Sequence, residues 1–139
     1  MEKNKKAPSN MTGQTSSSED INDAITLVIA GLNETIREIG SGRGAYRAST
    51  APTKTIWYHD TTNDIIHIRV HGYHNLDTIH ISMTPPYPEE TLTEFTGRLR
   101  SSIHEALQER ISELTPANEQ YSIVVNDYKK MDDWIHSKQ

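Results

Sequence analysis

Histidine is the residue of this chain best suited to chemistry, and most of the histidines fall in one stretch. Five of the seven stand at positions 59, 67, 71, 74 and 80, and the chain contains no cysteine. A neutral imidazole binds transition metals and transfers protons near neutral pH. The lack of cysteine excludes disulfides, thiolate metal sites and cysteine nucleophiles. The chemistry to be weighed is therefore that of imidazole groups held close together.

The stretch that carries these histidines predicts a three-stranded antiparallel sheet. It consists of three runs rich in β-branched residues, at 55–60, 65–72 and 76–83, separated by turn-forming residues. Apolar and polar residues alternate along the second and third runs, as in strands with one buried face. The polar positions are His67, Arg69 and His71 in the second run, and Thr78, His80 and Ser82 in the third. The sheet should therefore have an apolar face under helices and a polar face that carries histidines.

Turn lengths predict which polar residues become neighbours. A tight turn after the first run pairs Tyr58 with His67, and a four-residue loop at 72–75 pairs His67 with His80. These three side chains would then form a row across the polar face, with Arg69 in the next row. Two imidazoles that face each other resist double protonation, so binding through this face should change between about pH 5 and pH 7.

Two kinds of histidine chemistry are open alternatives at this row. His67 and His80 could hold a metal ion, but two ligands make a weak site and Arg69 would repel the cation, so no metal site and no cofactor is expected. The tripeptide that ends in Ser82 resembles the His-x-Ser/Thr element of two-histidine phosphoesterases, but residues 67–69 lack the second hydroxyl. A small histidine-dependent hydrolase or metal-binding protein that uses His67 and His80 stays as an alternative, and no catalytic residue is assigned.

Amphipathic helices are predicted on both sides of this stretch in the chain. Apolar residues at 21, 25, 28, 32, 36 and 39 recur at helical spacing, and Gly40 is placed to end that helix. A second helix begins after Thr91, which forms a capping box with Glu94, and carries an apolar stripe to Leu114. Both stripes are suited to cover the apolar face of the sheet.

The remaining segments complete the predicted fold. The run YSIVVN at 121–126 predicts a fourth short strand, and a final short helix follows, whose Trp134 closes the core or meets a partner. The predicted order is α-β-β-β-α-β-α, an α+β two-layer sandwich with two amphipathic helices on one face of a mainly antiparallel four-stranded sheet. Residues 1–18 are predicted to be a disordered tail, and residues 19–139 a single α+β domain.

A long loop, predicted to be mobile, occupies residues 40–54. Its charged residues are all basic, namely Arg43, Arg47 and Lys54, whereas the whole chain has a net charge of −5. Its glycines favour a phosphate cradle, but such loops normally follow a strand and open a helix, and this loop follows a helix. Arg43 and Arg47 are therefore candidate contacts for a protein partner.

Charge and hydropathy narrow the classes of partner and location. An acidic chain repels phosphate backbones, so general nucleic-acid binding is not expected. No run approaches the roughly 18 apolar residues of a membrane span, and no apolar segment follows the basic N-terminus, so neither membrane insertion nor secretion is expected. A cytoplasmic location is the expectation that agrees with these features and with the lack of cysteine.

Two families share features with this predicted architecture. The chain resembles the small acidic chaperones of type III secretion, which are cytoplasmic dimers that hold an extended segment of an effector, in size, acidity and element order. Tyr87 and Pro88 after the third strand resemble the RWD and ubiquitin-conjugating-like fold, although the chain lacks the strand that usually follows and has no cysteine for conjugation. Both resemblances imply a domain that binds protein and performs no reaction.

The sequence thus predicts a non-catalytic protein-interaction, adaptor or chaperone-like module that binds a protein partner through the polar face of the sheet. The candidate contact residues are Tyr58, His67, Arg69, His71 and His80 on the sheet, with Arg43 and Arg47 from the loop. A homodimer formed through a helix face is a further expectation. A structural subunit of a virion or secretion apparatus is the remaining alternative.

Overall fold

Three antiparallel strands form the sheet in the computed structural model, which describes residues 18–41, 54–72, 77–115 and 122–137. The strands are β1 (Lys54–Asp60), β2 (Ile65–Gly72) and β3 (Asp77–Met83), in the spatial order β1-β2-β3. This is the predicted meander. The turn between β1 and β2 is held by the Asp60 carboxylate, which accepts hydrogen bonds from the backbone N–H groups of Thr62 and Asn63 at 3.0 and 3.2 Å.

Three helices cover the apolar side of the sheet, and their order along the chain is α-β-β-β-α-α. They are α1 (Ser18–Ser41), α2 (Leu92–Leu114) and α3 (Ser122–Ser137). Helix α1 lies against β1, α2 lies against β3, and α3 packs on both of these helices. The predicted capping box is present at the start of α2, where the side chains of Thr91 and Glu94 each accept a backbone N–H of the other residue.

The predicted fourth strand is wrong, because the segment that was expected to form it begins α3. Residues 122–126 look like a strand when they are considered alone, since they are short and rich in β-branched residues. The apolar positions nevertheless continue at helical spacing through Val124, Tyr128, Met131 and Ile135, and all four are buried. Within the described residues the sheet therefore has three strands, and the fold class is α+β.

The core lies between the apolar side of the sheet and the helices. The alternating residues Ile66, Ile68 and Val70 of β2 are at most 2% exposed, and they pack in one cluster with the apolar stripes of the helices. Helices α1 and α3 approach so closely that a Cβ added to Gly31 would lie 2.0 Å from the Trp134 ring. Trp134 therefore packs against the backbone of α1 and helps to close the core.

A buried carboxylate joins β3 to two helices. Asp77, only 8% exposed, accepts hydrogen bonds from the guanidinium of Arg110 on α2 and, at 2.6 Å, from the hydroxyl of Tyr128 on α3. The bond to Asp77 raises the pKa of Arg110, and burial followed by the bond to Asp77 raises the pKa of Tyr128. The carboxylate is satisfied from two directions, so this cluster fixes the helices on the sheet.

Several sequence predictions concern residues outside the described ranges. These are the tail, apart from Ser18 at the start of α1, and the greater part of the 40–54 loop, with Arg43 and Arg47. Among the described helices, none is long and apolar enough to cross a membrane.

Candidate functional site

The side of the sheet opposite the helices, hereafter the open face, carries the candidate residues. Because side chains alternate along a strand, the even-numbered positions of β1 and β3 share this face with the odd-numbered positions of β2. The open face consists of Lys54, Ile56, Tyr58 and Asp60 from β1, Ile65, His67, Arg69 and His71 from β2, and Thr78, His80 and Ser82 from β3. Tyr58 is 43% exposed, which is unusual for a large aromatic side chain on a sheet.

The strand register agrees with the prediction on one side of β2 and differs on the other. Tyr58 lies opposite His67, as predicted. In the second pairing, His67 lies opposite Ser82 and Arg69 lies opposite His80, so β3 is offset by two residues from the predicted register. The offset arises because the connection between β2 and β3 lies one residue later in the chain than predicted. An even offset leaves every side chain on its predicted face.

His67 and His80 remain neighbours because residues on the diagonal of an antiparallel pair are still in reach of long side chains. Nδ1 of His67 lies 2.9 Å from Nε2 of His80, the ring planes differ by 18°, and the ring centroids are 5.0 Å apart. Rings stacked face to face cannot bring two atoms inside the roughly 3.5 Å contact distance of non-bonded atoms. The two imidazoles therefore lie side by side and share a proton in an N–H···N hydrogen bond.

Tyr58 and Arg69 extend this pair into a larger cluster, hereafter the histidine cluster of Tyr58, His67, Arg69 and His80. The Tyr58 ring stacks on the His67 ring with centroids 4.8 Å apart and planes 19° apart. The Arg69 guanidinium lies 5.9 Å from the centre of the Tyr58 ring. Four of the seven predicted contact residues are thus brought together, as an aromatic and basic surface.

Positive charge and burial act together on His80. Partial burial lowers the pKa of His80, and the nearby His67 and Arg69 lower it further. Asp60 stands at the end of the cluster, with Oδ2 at 4.0 Å from Nε2 of His67. The hydrogen bonds from Asn63 are the main cause of the lowered pKa of Asp60. The pair therefore sits between a carboxylate on one side and a guanidinium on the other.

Ser82 brings a hydroxyl group close to the histidine pair. Ser82 Oγ lies 3.5 Å from Nδ1 of His67, which is beyond the hydrogen-bonding distance of an activated nucleophile. That nitrogen is already bonded to His80 at the shorter distance of 2.9 Å. The arrangement can hold and release protons, and it can bind other groups.

His71 lies at the far end of the open face, and its Nδ1 is 3.5 Å from the hydroxyl of Thr78. It belongs to the same surface but not to the histidine cluster. The neighbouring position on β1, directly opposite His71, is Lys54. This end of the face therefore carries the positive charge of Lys54, which the sequence analysis had placed in the loop.

Sequence reasoning missed a second histidine site, which lies between α2 and α3. Nδ1 of His104 is 2.7 Å from Asp132, and Nε2 of Gln108 donates to the other carboxylate oxygen at 2.6 Å. The His136 ring lies 5.9 Å from the His104 ring. The spacing of His104 and Gln108 on one helical face was the available signal, but nothing in the sequence showed that the last helix packs beside α2 and brings Asp132 to them.

A shallow groove separates α1 from α3. It has a volume of about 420 Å³ and is lined by Thr35, Glu38, Ile39, Lys130, Asp133 and Trp134. Its lining mixes the apolar side chains of Ile39 and Trp134 with charges of both signs. Among all the residues that the structure describes, no group of three or more His, Asp or Glu side chains is close enough to hold a metal ion.

Comparison of the chain with protein-family models, with curated proteins and with solved structures finds no match. The geometry and charge of the open face are therefore the basis for proposing what this chain binds.

Proposed function

We propose that this chain is a non-catalytic protein-binding module whose open face recognises an acidic segment of a partner protein. The observation that carries the proposal is the histidine cluster, where an exposed tyrosine, two hydrogen-bonded imidazoles and an arginine form one surface. Aromatic and arginine side chains are enriched at protein contacts because they bury much area and still form directional bonds.

The charge of the open face supports an acidic partner. The chain has 19 acidic and 14 basic residues, yet the open face carries Lys54 and Arg69 against the single carboxylate of Asp60. That carboxylate is already bonded to the turn through Thr62 and Asn63. A basic surface on an acidic protein attracts acidic groups of a partner, because opposite charges across a contact favour association.

The position of the cluster also suits a binding role. The helices pack on the opposite side of the sheet, where their apolar stripes contact the buried residues of β2. A three-stranded sheet is a rigid support, so a partner would meet preformed side-chain positions and lose less entropy on binding. Carboxylates of the partner would pair with Arg69 and accept a hydrogen bond from an imidazole N–H of the histidine pair.

A selection from short random peptides displayed on phage tests this proposal, with wild-type protein as bait at neutral pH. The expected result is enrichment of peptides rich in Asp and Glu. A synthetic copy of an enriched peptide should bind Arg69→Glu at least about tenfold more weakly, which corresponds to roughly 1.4 kcal/mol. The affinity is measured by fluorescence anisotropy of the labelled peptide.

The matched control is Lys129→Glu, which makes the same charge change on an exposed side chain of α3, the helix that packs on the other two helices. It should leave peptide affinity within about twofold, because exposed charges separated by more than a Debye length are screened. Enriched peptides without acidic residues, or equal losses in both variants, would show that the open face is not the binding surface.

A further inference from the structure

The outer edge of β3 is a second surface that the structure leaves available for pairing. One contact on the opposite edge of the sheet determines which backbone groups of β3 face outward. The side-chain amide of Asn33 on α1 accepts the backbone N–H of Thr55 at 2.7 Å and donates to the carbonyl of Thr55 at 3.0 Å. Both backbone groups of Thr55 therefore point away from β2.

This orientation fixes the direction of the backbone groups across the whole sheet. In an antiparallel ladder, alternate residues of a strand direct both of their backbone groups to the same neighbour. The backbone groups of Val70, opposite Thr55, therefore point to β3, and those of its partner Ile79 point back to β2. On β3, Ile79 and every second residue from it direct their backbone groups to β2. The residues between them direct their N–H and C=O groups to the outer edge of the sheet. These residues are Thr78, His80 and Ser82.

These three residues present an open ladder in the described part of the structure. All three are exposed, and no other described residue forms a hydrogen bond with their backbone groups. The edge of β1 is different, because Asn33 occupies the Thr55 groups and α1 lies against that strand. One edge of the sheet is thus occupied at Thr55, while the other keeps its three outward-pointing residues available.

The sequence of β3 lacks the devices that normally protect an edge strand. Such strands usually carry a lysine, a proline or an inward-pointing unpaired charge. Residues 78–83 contain none of these, and the one charge of the strand, Asp77, is bonded to Arg110. A strand of this kind fits pairing with another strand.

We infer that β3 pairs antiparallel with β3 of a second copy of this chain, about a two-fold axis that passes through His80. In this register His80 faces His80 of the partner subunit, and Thr78 faces Ser82 of the partner subunit. The two sheets then form one six-stranded sheet with both open faces on the same side.

The composition of the β3 edge favours a second copy as the occupant. Each chain has a net charge of −5, so two copies repel each other over most of their surfaces. The outward-pointing residues of β3 carry no carboxylate, and the two-fold register places a hydroxyl opposite a hydroxyl and an imidazole opposite an imidazole. An isologous contact must be self-complementary in this way. The inference does not depend on the proposed function, since neither the edge nor its register requires an acidic partner.

Single cysteines test the register, because the chain has none of its own. His80→Cys should form a disulfide-linked dimer under mild oxidation, since paired residues across a ladder have Cα atoms about 5.5 Å apart, within disulfide range. Thr78→Cys alone should not, because its two copies would lie roughly 13 Å apart along the strands at about 3.3 Å per residue. Thr78→Cys combined with Ser82→Cys should form the link again. Leu27→Cys, which is 74% exposed on α1, controls for random collision.

The mass of the protein in solution gives the second readout. Sedimentation equilibrium of the wild type should show a concentration-dependent dimer. His80→Pro should raise its dissociation constant at least about tenfold. The proline removes an outward-pointing donor that no strand of the same chain uses, so circular dichroism should remain that of the wild type.

Two results would overturn the inference. One is a wild type that stays monomeric at all concentrations, which leaves the edge for a strand of another protein. The other is a dimer that His80→Pro does not weaken or that Leu27→Cys links more readily than His80→Cys, which places the contact on the helices. Arg69→Glu should leave the dimer unchanged, so loss of peptide binding and loss of dimerisation are separate outcomes.

Discussion

The two sides of the sheet hold their polar groups in different ways. On the helix-covered side, the Asp77 carboxylate is buried and receives its donors from Arg110 and Tyr128. On the open face, the imidazoles of His67 and His80 bond mainly to each other, and the bond requires that at least one nitrogen lacks a proton. The first arrangement is complete within the fold, whereas the second changes with pH and has capacity left for a partner.

This difference indicates which clusters of polar side chains are informative about function. A buried pair with every bond satisfied is explained by the packing of the helices alone. An exposed cluster of aromatic and basic groups is not explained in this way, because each cross-strand pair on an open face adds only about 0.2–1 kcal/mol to the stability of a sheet. Function is therefore sought on the open face.

The largest loss of stability is expected when the bonds from Arg110 and Tyr128 to Asp77 are removed. Asp77→Ala leaves the buried Tyr128 hydroxyl without its acceptor and leaves the half-buried Arg110 guanidinium with Glu113 alone, so the free energy of unfolding should fall by about 2–4 kcal/mol. Urea unfolding followed by circular dichroism measures this loss. Asp23→Ala, on the exposed side of α1, is the matched control and should change stability by less than about 0.5 kcal/mol. Equal effects would contradict the central role of Asp77 in docking the helices.

A smaller loss of stability is expected when a larger residue is placed between the helices on the covered side of the sheet. Gly31→Ala places a methyl group against the Trp134 ring, so the protein should lose about 1–3 kcal/mol of stability. Gly97→Ala is the comparison, because nothing lies within 4 Å of a Cβ at that position of α2. It should stabilise the protein by about 0.5–1 kcal/mol, since alanine loses less backbone entropy in a helix. The same sign for both substitutions would show that Gly31 is not a point of close approach.

The smallest effect on stability is expected on the open face, and it should depend on pH. The pKa of His80 lies below its ordinary value of 6.5, so the unfolded chain binds a proton more readily than the folded one. Stability should therefore fall as the pH drops from 6.5 through the lower pKa of folded His80. His80→Gln should change stability little at neutral pH and should remove this part of the pH dependence.

The control for this pH effect is His136→Gln, which removes an exposed histidine from α3 and leaves the open face intact. Urea midpoints at neutral pH and near pH 5 provide the measurement. If His136→Gln flattens the curve as much as His80→Gln does, the pH dependence does not originate in the histidine pair.

Much of the sheet could be predicted from the sequence because its signals are local. Alternation along β2 and β3 determined which face each residue occupies, and the turn after Asp60 determined the pairing of Tyr58 with His67. The pairing of β2 with β3 was displaced by two residues, because a shift of the loop by one residue leaves the alternation intact. The local pattern therefore could not distinguish the two registers.

The parts that could not be predicted depend on contacts between distant segments. Residues 122–126 have the composition of a strand, and their helical state is stabilised by the burial of Tyr128 and Met131 further along α3. The bond from Arg110 to Asp77 joins residues 33 apart, and nothing in their local sequences marks them as partners. The contact of Trp134 with Gly31 is of the same kind.

The most direct test of the central claim is an NMR footprint of an acidic peptide taken from the phage selection. Amide and histidine side-chain signals of the labelled wild-type protein are followed during the titration. Binding at the open face predicts that the largest shifts fall on Tyr58, His67, Arg69 and His80, while Trp134 and the helix surfaces stay unchanged. Shifts that cluster instead around the groove between α1 and α3 would contradict the claim and move the binding surface to the helix-covered side.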